Sequence, residues 1–447
     1  MKTNSIFAFL LCAGLAFVAC SDDDSKESAI VPQPEAPFEL RAPQAHWPLT
    51  TDQKDLQDRL DDFGFRLFRL AAEQQGLEHS LLLSPLSVDY AYGMVALACD
   101  STPLRDFNAL MGLQPGDRAT IHDLLASLMT RLPTEREGVR LNLANAFYLN
   151  ASRSDVRLNP DYRKLLQTAY RADCEALDFR QQQATAEYIN AWCNRQTNGF
   201  IPKVFDADGI NTAAVSYLLN ALYFKAPWAA PFEQKMTQEQ TFTREDGSTR
   251  QVPMMRQTND FQRYRDTDLC QVLQLPYSNG GLFCDIGECR YAMTILLPRE
   301  GKTVADVLGA LSADYLRQLR LMFTEKIGVT DVALWLPRFE TEVTTSLTPL
   351  LPALGLGSWL KGPIRGMVQN LDGTPHGLLV SDAFQAARIK VDEAGTEAAA
   401  VTVVETGATG IIEHECPIVF RANHPFVYLL TEETTGTLLF IGTYMGD

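Results

Sequence analysis

The stretch from residue 391 to residue 426 constrains the fold of this chain more than any other. It begins with small and polar residues around Gly395, where the backbone can hinge. A β-branched run at 401–404 favours a strand. The part from 405 to 415 carries two glycines and no core pattern, so we expect an exposed loop there. A strand-forming segment that is tethered at both ends and left in solvent is unusual, because free edges are normally avoided.

The start of this stretch has the pattern Glu-x-Gly-Thr-Glu-Ala-Ala-Ala, with a second threonine six residues after the first. Its members are Glu393, Gly395, Thr396, Glu397, Ala398, Ala399, Ala400 and Thr402. The pattern resembles the hinge and reactive-centre loop of the serpins. The resemblance implies a substrate-like bait whose amino-terminal half, after cleavage, inserts as a new strand into a large central sheet. Strand insertion of this kind releases stored strain.

The residue types of the hinge suit insertion on physical grounds. Side chains alternate faces along a strand, so Thr396, Ala398, Ala400 and Thr402 would share one face. All four are small and could enter a packed sheet without overpacking, which typically costs about 1–3 kcal/mol. A charged or bulky residue there would slow insertion. The local string alone leaves open an ordinary core strand or a helical alanine patch.

The first 20 residues are predicted to lie outside the fold. Lys2 is followed by an apolar run at 6–19 that is too short to span a bilayer as a helix, which indicates a secretory signal peptide at 1–19. The run ends in Phe-Val-Ala-Cys and resembles a bacterial lipobox, which makes Cys20 the lipidated residue. The alternative is a plain signal peptide with an incidental cysteine. The resemblance implies an exported lipoprotein at the outer membrane or cell surface of a bacterium, bound to the membrane through its lipid anchor only.

Composition divides the rest of the chain into a tether and one domain. Residues 20–50 are acidic and proline-rich without a periodic apolar pattern, which predicts a semi-extended tether. Residues 51–447 form the domain, and with 46% hydrophobic residues the chain has material for a large core. The formal net charge of −16 argues against a nucleic-acid partner, because such binding needs basic patches. We expect a monomer.

The cysteines and histidines indicate no metal site, cofactor site or catalytic site. Without Cys12 and Cys20, seven of the nine cysteines remain, and an odd, scattered set is no disulfide framework. Cys284 and Cys289 either close a small loop in an exported protein or stay reduced. Cys416 has no evident base, which favours a free thiol over a nucleophile. The six histidines form no visible triad, so we do not expect an enzyme.

Apolar spacing predicts several elements of the domain. Steps of three and four predict a helix over 52–75. A short strand at 81–83 should end at Ser84, which caps a helix with Pro85 at its first position. Residues 141–150 alternate as a central strand, and 160–179 are predicted to be helical. Further strings resemble serpins in the family's order: 81–87, 145–148, 189–201, 217–232, 252–255, 273–277, 295–298, 336–339, 350–356 and 438–442.

The sequence alone predicts a large α+β domain. The resemblance implies the serpin fold, with three β-sheets, about eight or nine helices and an exposed reactive-centre loop. Motif alignment assigns the region where the sheet opens to Ser84, Ser87, Asn220, Trp228 and Gln385. Gln385 stands where the family usually has histidine; a glutamine both donates and accepts, so a buried polar network remains feasible. For each of these residues the alternative is plain core packing.

Three functional classes are open: a peptidase inhibitor that acts as a suicide substrate, a serpin that never inserts its loop and serves as a carrier, chaperone or binding protein, and a hydrolase. The small residues at 396–402 favour the inhibitor. The family's spacing, counted forward from Gly395, places the reactive bond between Thr409 and Gly410, whereas a backward count from Pro425 places it near 411–412. No Lys or Arg lies between 397 and 416. The expected partner is therefore an elastase-like serine peptidase, with a papain-like cysteine peptidase as second choice.

Overall fold

The computed structural model describes residues 11–16, 48–113, 117–136, 138–260, 263–278, 290–324, 331–396 and 417–447. Within these ranges the chain forms eight α-helices and three β-sheets of ten, six and four strands. The predicted α+β class, the number of sheets and the number of helices are confirmed.

The helices in chain order are α1 (Thr51–Gln75), α2 (Pro85–Leu97), α3 (Ser101–Leu110), α4 (Asp117–Arg131), α5 (Pro160–Ala169), α6 (Gln182–Gln196), α7 (Val304–Ala310) and α8 (Ala313–Thr324). The strands are β1 (Leu11–Ala16), β2 (Leu82–Leu83), β3 (Thr134–Arg136), β4 (Val139–Asn150), β5 (Val156–Leu158), β6 (Asp173–Leu177), β7 (Ser216–Pro227), β8 (Gln238–Thr243), β9 (Thr249–Asp260), β10 (Tyr264–Asp266), β11 (Cys270–Pro276), β12 (Tyr291–Pro298), β13 (Asp331–Pro337), β14 (Phe339–Ser346), β15 (Ile364–Asn370), β16 (Pro375–Val391), β17 (Gly395–Thr396), β18 (Ile418–Arg421), β19 (Phe426–Glu432) and β20 (Leu438–Tyr444).

The ten-stranded sheet contains the candidate site. Its main path runs β3-β4-β7-β1-β16-β15-β5; β14 also pairs with β16, β6 pairs with β4, and β17 pairs with both β7 and β16. The six-stranded sheet has the order β10-β11-β12-β19-β20-β2, and the four-stranded sheet has the order β18-β13-β9-β8. Both short strands β1 and β17 therefore lie between β7 and β16.

Two apolar clusters pack on opposite faces of β7. Alternate residues of a strand face opposite ways, and Leu218 and Leu222 belong to the large core with α1 and α2. Tyr217 and Leu219 belong to a smaller cluster under α6, around Trp192. Because both faces of β7 are covered, nearly every residue of this strand is buried, and most of them are apolar.

Local capping explains where the first two helices begin. Thr50 caps α1: its hydroxyl accepts from the Gln53 backbone N–H, and the Gln53 side chain accepts from the Thr50 backbone N–H. Ser84 caps α2, whose first residue is Pro85, and every residue of α2 is buried. The predicted helix over 52–75 and the predicted strand, cap and helix around Ser84 are confirmed.

The predicted helix over 160–179 is wrong in its second half. The helix α5 ends at Ala169, and β6 follows and pairs in parallel with β4. Arg171 adopts a left-handed φ of 48°, and the N–H groups of Tyr170 and Ala172 both donate to the Leu166 carbonyl. This arrangement closes the helix, although such left-handed positions usually carry glycine. An arginine there gives no stop signal in the sequence.

The structure also differs from the expectation that residues 1–20 lie outside the fold. Strand β1 is antiparallel to both neighbours, with Cys12 opposite Leu219 of β7 and opposite Phe384 of β16. An apolar run too short for a bilayer helix is long enough for a strand, so the sequence did not separate the two. The signal peptide assignment concerns processing and stays a prediction.

Candidate functional site

The hinge folds back into the sheet directly after β16. The Asp392 carboxylate accepts from the backbone N–H groups of Ala394 (2.9 Å) and Gly395 (3.2 Å), which closes a tight turn. Burial raises the pKa of Asp392. After the turn, Thr396 lies opposite Val391 of β16 and opposite Ala226 of β7. The hinge therefore begins between the two strands.

Gly395 lies where a side chain would not fit. A Cβ atom at this position would lie 2.6 Å from the Pro227 Cα and closer still to the Ala226 carbonyl oxygen. Both obstacles are backbone atoms of β7, so neither can move aside without disturbing the strand. The glycine of the hinge pattern therefore permits close approach of two backbones.

An aromatic pair holds the hinge at the end of β7. Trp228 and Tyr277 stack with ring centroids 4.5 Å apart and an interplanar angle of 13°. Trp228 donates its backbone N–H to the Ala394 carbonyl (2.8 Å) and its indole N–H to the Asp392 carbonyl (2.9 Å). The Tyr277 hydroxyl is hydrogen-bonded to the Thr396 hydroxyl at 2.6 Å. Burial holds the pKa of Tyr277 far above its usual range, so this hydroxyl keeps its proton.

Glu393 anchors the other side of the turn. Its side chain is buried, and its carboxylate accepts from the Thr237 hydroxyl at 2.7 Å. Arg338, which is half exposed, lies 3.6 Å from the same carboxylate oxygen. The Glu393 carbonyl accepts from the Phe232 backbone N–H. A buried carboxylate needs such partners, since an unpaired buried charge is costly.

Lower in the sheet, Gln385 joins β16 to the start of α2. Its side-chain oxygen accepts from the Ser84 backbone N–H and its amide nitrogen donates to the Ser84 carbonyl, both at 2.8 Å. The Ser84 hydroxyl accepts from the Ser87 backbone N–H at 3.3 Å. All three residues are buried. The structure thus brings Ser84, Ser87 and Gln385 together.

Asn220 belongs to a second buried network on the β7 side. Its amide donates to the Asn145 side chain at 2.8 Å, and Asn145 donates to the Tyr170 carbonyl at 2.8 Å. The Asn220 side-chain oxygen is buried and has no hydrogen-bond partner among the described residues. This acceptor lies beside the gap between β7 and β16. Trp228, at the end of β7, belongs to the hinge instead.

The two networks lie level with each other across the gap. Cys12 pairs with Leu219 on one side and Phe384 on the other, so the next positions, Asn220 and Gln385, face each other over the intervening strand. Asn145 lies opposite Asn220, and Thr345 of β14 lies opposite Gln385. A row of buried polar residues therefore crosses the sheet and is interrupted only at the gap, where Leu11 pairs with Asn220.

Several predicted site residues lie outside the described residues. They are the lipidation residue Cys20, the reactive-bond residues Thr409 and Gly410, the cysteines Cys284, Cys289 and Cys416, and the hinge residues Glu397, Ala398, Ala399, Ala400 and Thr402. Sequence reasoning missed Tyr277 and Asn145 as parts of the site. Each stands in a string that resembles the family, but no local signal indicates its distant partner.

Further features of the described part of the chain concern disulfide bonds, metal-binding groups and membrane-spanning helices. Cys99, Cys174, Cys193 and Cys270 are buried thiols that form no disulfide bond within the described residues, and burial raises the pKa of the Cys174 thiol to about 11. The described ranges contain no group of three potential metal-ligating side chains. None of the described helices is both long enough and apolar enough to cross a membrane.

Comparison with protein families and relatives gives a consistent result. The model of the family Serpin (serine protease inhibitor) matches residues 58–446. An uncharacterised serpin-like protein of Thermococcus kodakarensis is 30% identical over 397 residues, which cover 88% of this chain and 86% of that protein. Serpin-Z7 of Hordeum vulgare is 29% identical, with 88% and 97% covered. Antithrombin-III of Mus musculus is 29% identical, with 85% and 79% covered.

Solved structures show the same architecture. The thermophilic serpin tengpin in its native state superposes with a TM-score of 0.75 at 24% identity, covering 93% of this chain and all of tengpin (100%). Glycosylated human kallistatin gives a TM-score of 0.74 at 24% identity, covering 88% of this chain and 98% of kallistatin. At these identities the likeness establishes the fold.

Proposed function

The chain belongs to the serpin family, whose members are mostly peptidase inhibitors rather than enzymes, and we propose that it traps a serine peptidase as a suicide substrate. One observation carries the proposal: Thr396 is already paired between β7 and β16. The reactive loop thus starts at the mouth of the position that it would fill. The small side chains that follow suit entry into a packed sheet.

The proposed chemistry is an interrupted acyl transfer. The peptidase serine oxygen attacks the Thr409 carbonyl carbon, the bond to the Gly410 nitrogen breaks, and the new amine takes the proton that the serine lost. The enzyme is then esterified to the end of the hinge segment. Thr409 lies thirteen positions after Thr396, so the fully inserted segment would span about 40 Å of the sheet at roughly 3.3 Å per residue, with the enzyme attached at its far end.

The row of buried polar residues across the sheet (Asn145, Asn220, Gln385 and Thr345) supports insertion of the loop in the register that Thr396 already has. A loop that continued the pairing of Thr396 would bring Thr402 opposite Asn220, six residues along each strand, and level with Gln385. The Thr402 hydroxyl would then meet the Asn220 oxygen, which lacks a donor among the described residues. A satisfied buried acceptor stabilises the inserted form, because an unsatisfied one typically costs about 1–3 kcal/mol.

The loop composition supports an elastase-like partner. Ala408 and Thr409 suit a small, shallow specificity pocket, and no Lys or Arg between 397 and 416 could pair with an acidic pocket. A papain-like cysteine peptidase is the second candidate within the same mechanism.

We further propose that the inhibitor works outside the cell that makes it, anchored by lipid on Cys20. The apolar run ending at Cys20 supports this location. Membrane fractionation tests it: wild-type chain should partition with membranes and carry lipid, and Cys20→Ala should be soluble or unprocessed. Wild-type protein that is wholly soluble and lipid-free would contradict the anchor.

A denaturing gel tests the inhibitory function. The chain from Ser21 onward is mixed with an elastase-like serine peptidase and, separately, with a papain-like enzyme; a stable high-mass complex is expected with at least one. Thr396→Arg should yield only cleaved chain, because an arginine at this buried position would place an unpaired charge at the entry of the gap and block insertion of the residues that follow. Thr249→Arg is the matched control, since Thr249 is exposed and should leave the complex intact. Cleavage of the parent chain without any complex would contradict the proposal.

A further inference from the structure

The gap that the reactive loop would fill is already occupied in the full-length chain. Strand β1 lies between β7 and β16 and is antiparallel to both. An inserted loop that kept the register of Thr396 would run in the same direction and would also be antiparallel to both. The amino-terminal segment and the loop therefore compete for one position.

The two occupants also coincide residue for residue. Continued from Thr396, the loop would place Thr402 opposite Asn220, and Val403 opposite Leu219 and Phe384. In the structure, Leu11 lies opposite Asn220, and Cys12 lies opposite Leu219 and Phe384. Both segments cannot be present at once, because each would use the same backbone N–H and C=O groups of the flanking strands.

We propose that Leu11–Ala16 blocks insertion of the reactive loop, so that the unprocessed chain is cleaved by its target peptidase instead of trapping it, and that removal of this segment switches inhibition on. The inference rests on the proposed function. It gives the predicted signal peptide (residues 1–19, the leader) a second role besides export. A chain that folds before the leader is removed would not inhibit peptidases in the compartment where it is made.

The chain between the two parts is long enough for this contact. Residues 17–47 connect β1 to the domain, and 31 residues can span up to about 100 Å when extended. A tethered segment also has an effective local concentration on the order of millimolar. Binding of the leader is therefore favoured while the tether is intact, and it becomes a dilute bimolecular event after cleavage.

The leader is the poorer occupant of the gap at one position. A leucine side chain carries no hydrogen-bond donor, and the Asn220 oxygen opposite Leu11 has no partner among the described residues. A threonine hydroxyl at the same position supplies that donor. The leader thus holds the gap through its tether and backbone pairing, and the loop is the better fit once the leader has gone.

The test compares full-length chains that retain the leader. Ala13→Pro removes a backbone N–H from the middle of β1, and proline is poorly tolerated in a central strand. Ala8→Pro, which precedes β1 in the sequence, is the matched control. Hydrogen exchange of the amides at 11–16 reports occupancy, and the change in melting temperature after loop cleavage by an elastase-like enzyme reports insertion.

The expected result has three parts. Amides 11–16 are protected in the parent chain and in Ala8→Pro, but not in Ala13→Pro. Loop cleavage raises the melting temperature of Ala13→Pro only. The number of inhibitor molecules consumed per enzyme trapped is about tenfold lower for Ala13→Pro. This factor corresponds to about 1.4 kcal/mol in the free energy with which the leader competes against the loop for the gap.

Two results overturn the inference: unprotected amides at 11–16 in the parent chain, or the same melting shift in the parent and in Ala13→Pro. The melting shift needs insertion but no trapped enzyme, so it decides the question even if no peptidase is trapped. Absence of trapping by Ala13→Pro together with a melting shift would contradict the proposed inhibitory function and leave the blocking role supported.

Discussion

The hydroxyl oxygens of Tyr277 and Thr396 lie 2.6 Å apart in the buried end of the gap between β7 and β16. Tyr277 follows β11 in the six-stranded sheet, whereas Thr396 is the last described residue of the hinge. This hydrogen bond joins two sheets at the last described residue before the predicted reactive loop. We therefore expect it to hold the hinge in its starting position.

Replacing Tyr277 with Phe should loosen the hinge. The Thr396 hydroxyl would remain buried without its partner, which typically costs about 1–3 kcal/mol. Urea unfolding should show that loss, and hydrogen exchange at Gly395 and Thr396 should become faster. Tyr92→Phe is the control, because the Tyr92 hydroxyl is buried without a hydrogen-bond partner among the described residues. Equal effects of the two substitutions would contradict a specific role for Tyr277.

Replacing Gly395 with Ala should expel the hinge from the sheet. The added Cβ would lie 2.6 Å from the Pro227 Cα, and only backbone could move to make room. We expect a lower melting temperature and more inhibitor consumed per enzyme trapped. Gly309→Ala in α7 is the control, because no atom lies within 4 Å of the position that its new methyl group would take; a helical alanine should stabilise by about 0.5–1 kcal/mol. If Gly395→Ala did not change the number of inhibitor molecules consumed per enzyme trapped, Gly395 would have no role in the mechanism.

Stability should depend on the protonation of Asp61. This carboxyl is buried between α1 and β20, where it accepts from the Gln57 amide and the Leu438 backbone N–H. Burial raises its pKa to about 7, and burial also raises the pKa of the nearby Asp89. The folded chain thus holds a proton that the unfolded chain releases above its ordinary pKa of 3.8.

The direction in which stability changes with pH follows from the proton that the folded chain holds on Asp61. The stabilisation is complete below about pH 4 and is lost as the pH rises toward about 7, by up to about 1.4 kcal/mol per pH unit. Urea unfolding across this range should show a smaller fall for Asp61→Asn than for the parent chain. Asp178→Asn is the control: a hydrogen bond from Arg180 lowers the pKa of Asp178 to about 2, so its window lies below pH 4. Parallel curves for parent and Asp61→Asn would refute the assignment.

Mass spectrometry of the peptide released from a cleaved complex should identify the reactive bond. A carboxy-terminal fragment that begins at Gly410 is expected, because the inserting segment must span a fixed length of sheet from Thr396. A fragment that begins between Ile411 and Glu413 would favour the backward count from Pro425. A start outside 410–413 would contradict both, and would remove the argument for a small-residue specificity pocket.

Local rules made part of this structure predictable. The apolar spacing of α1, the Ser84 cap and the alternation in β4 depend on neighbouring residues, and the sequence shows these directly. The hinge and sheet-opening residues were assigned through family resemblance, and the structure places Ser84, Ser87 and Gln385 in contact. The end of α5 was not predictable, since Arg171 closes it in a conformation that usually requires glycine.

Long-range contacts account for the rest. Tyr277 meets a hinge residue 119 positions away, and Asn145 meets Asn220 75 positions away. No periodicity in one sequence indicates which distant residues become neighbours. The pairing of β1 was missed for a different reason: a short apolar run satisfies the requirements of a leader and of a strand equally well.

Insertion between β7 and β16 is the central claim, and the melting temperature before and after loop cleavage tests it most directly. The chain from Ser21 onward lacks the leader strand, so its gap is open to the loop. We predict that cleavage between 402 and 416 raises the melting temperature sharply, because the inserted strand completes the sheet, and that Thr396→Arg abolishes the rise. Equal melting temperatures for the intact and the cleaved chain would contradict the account.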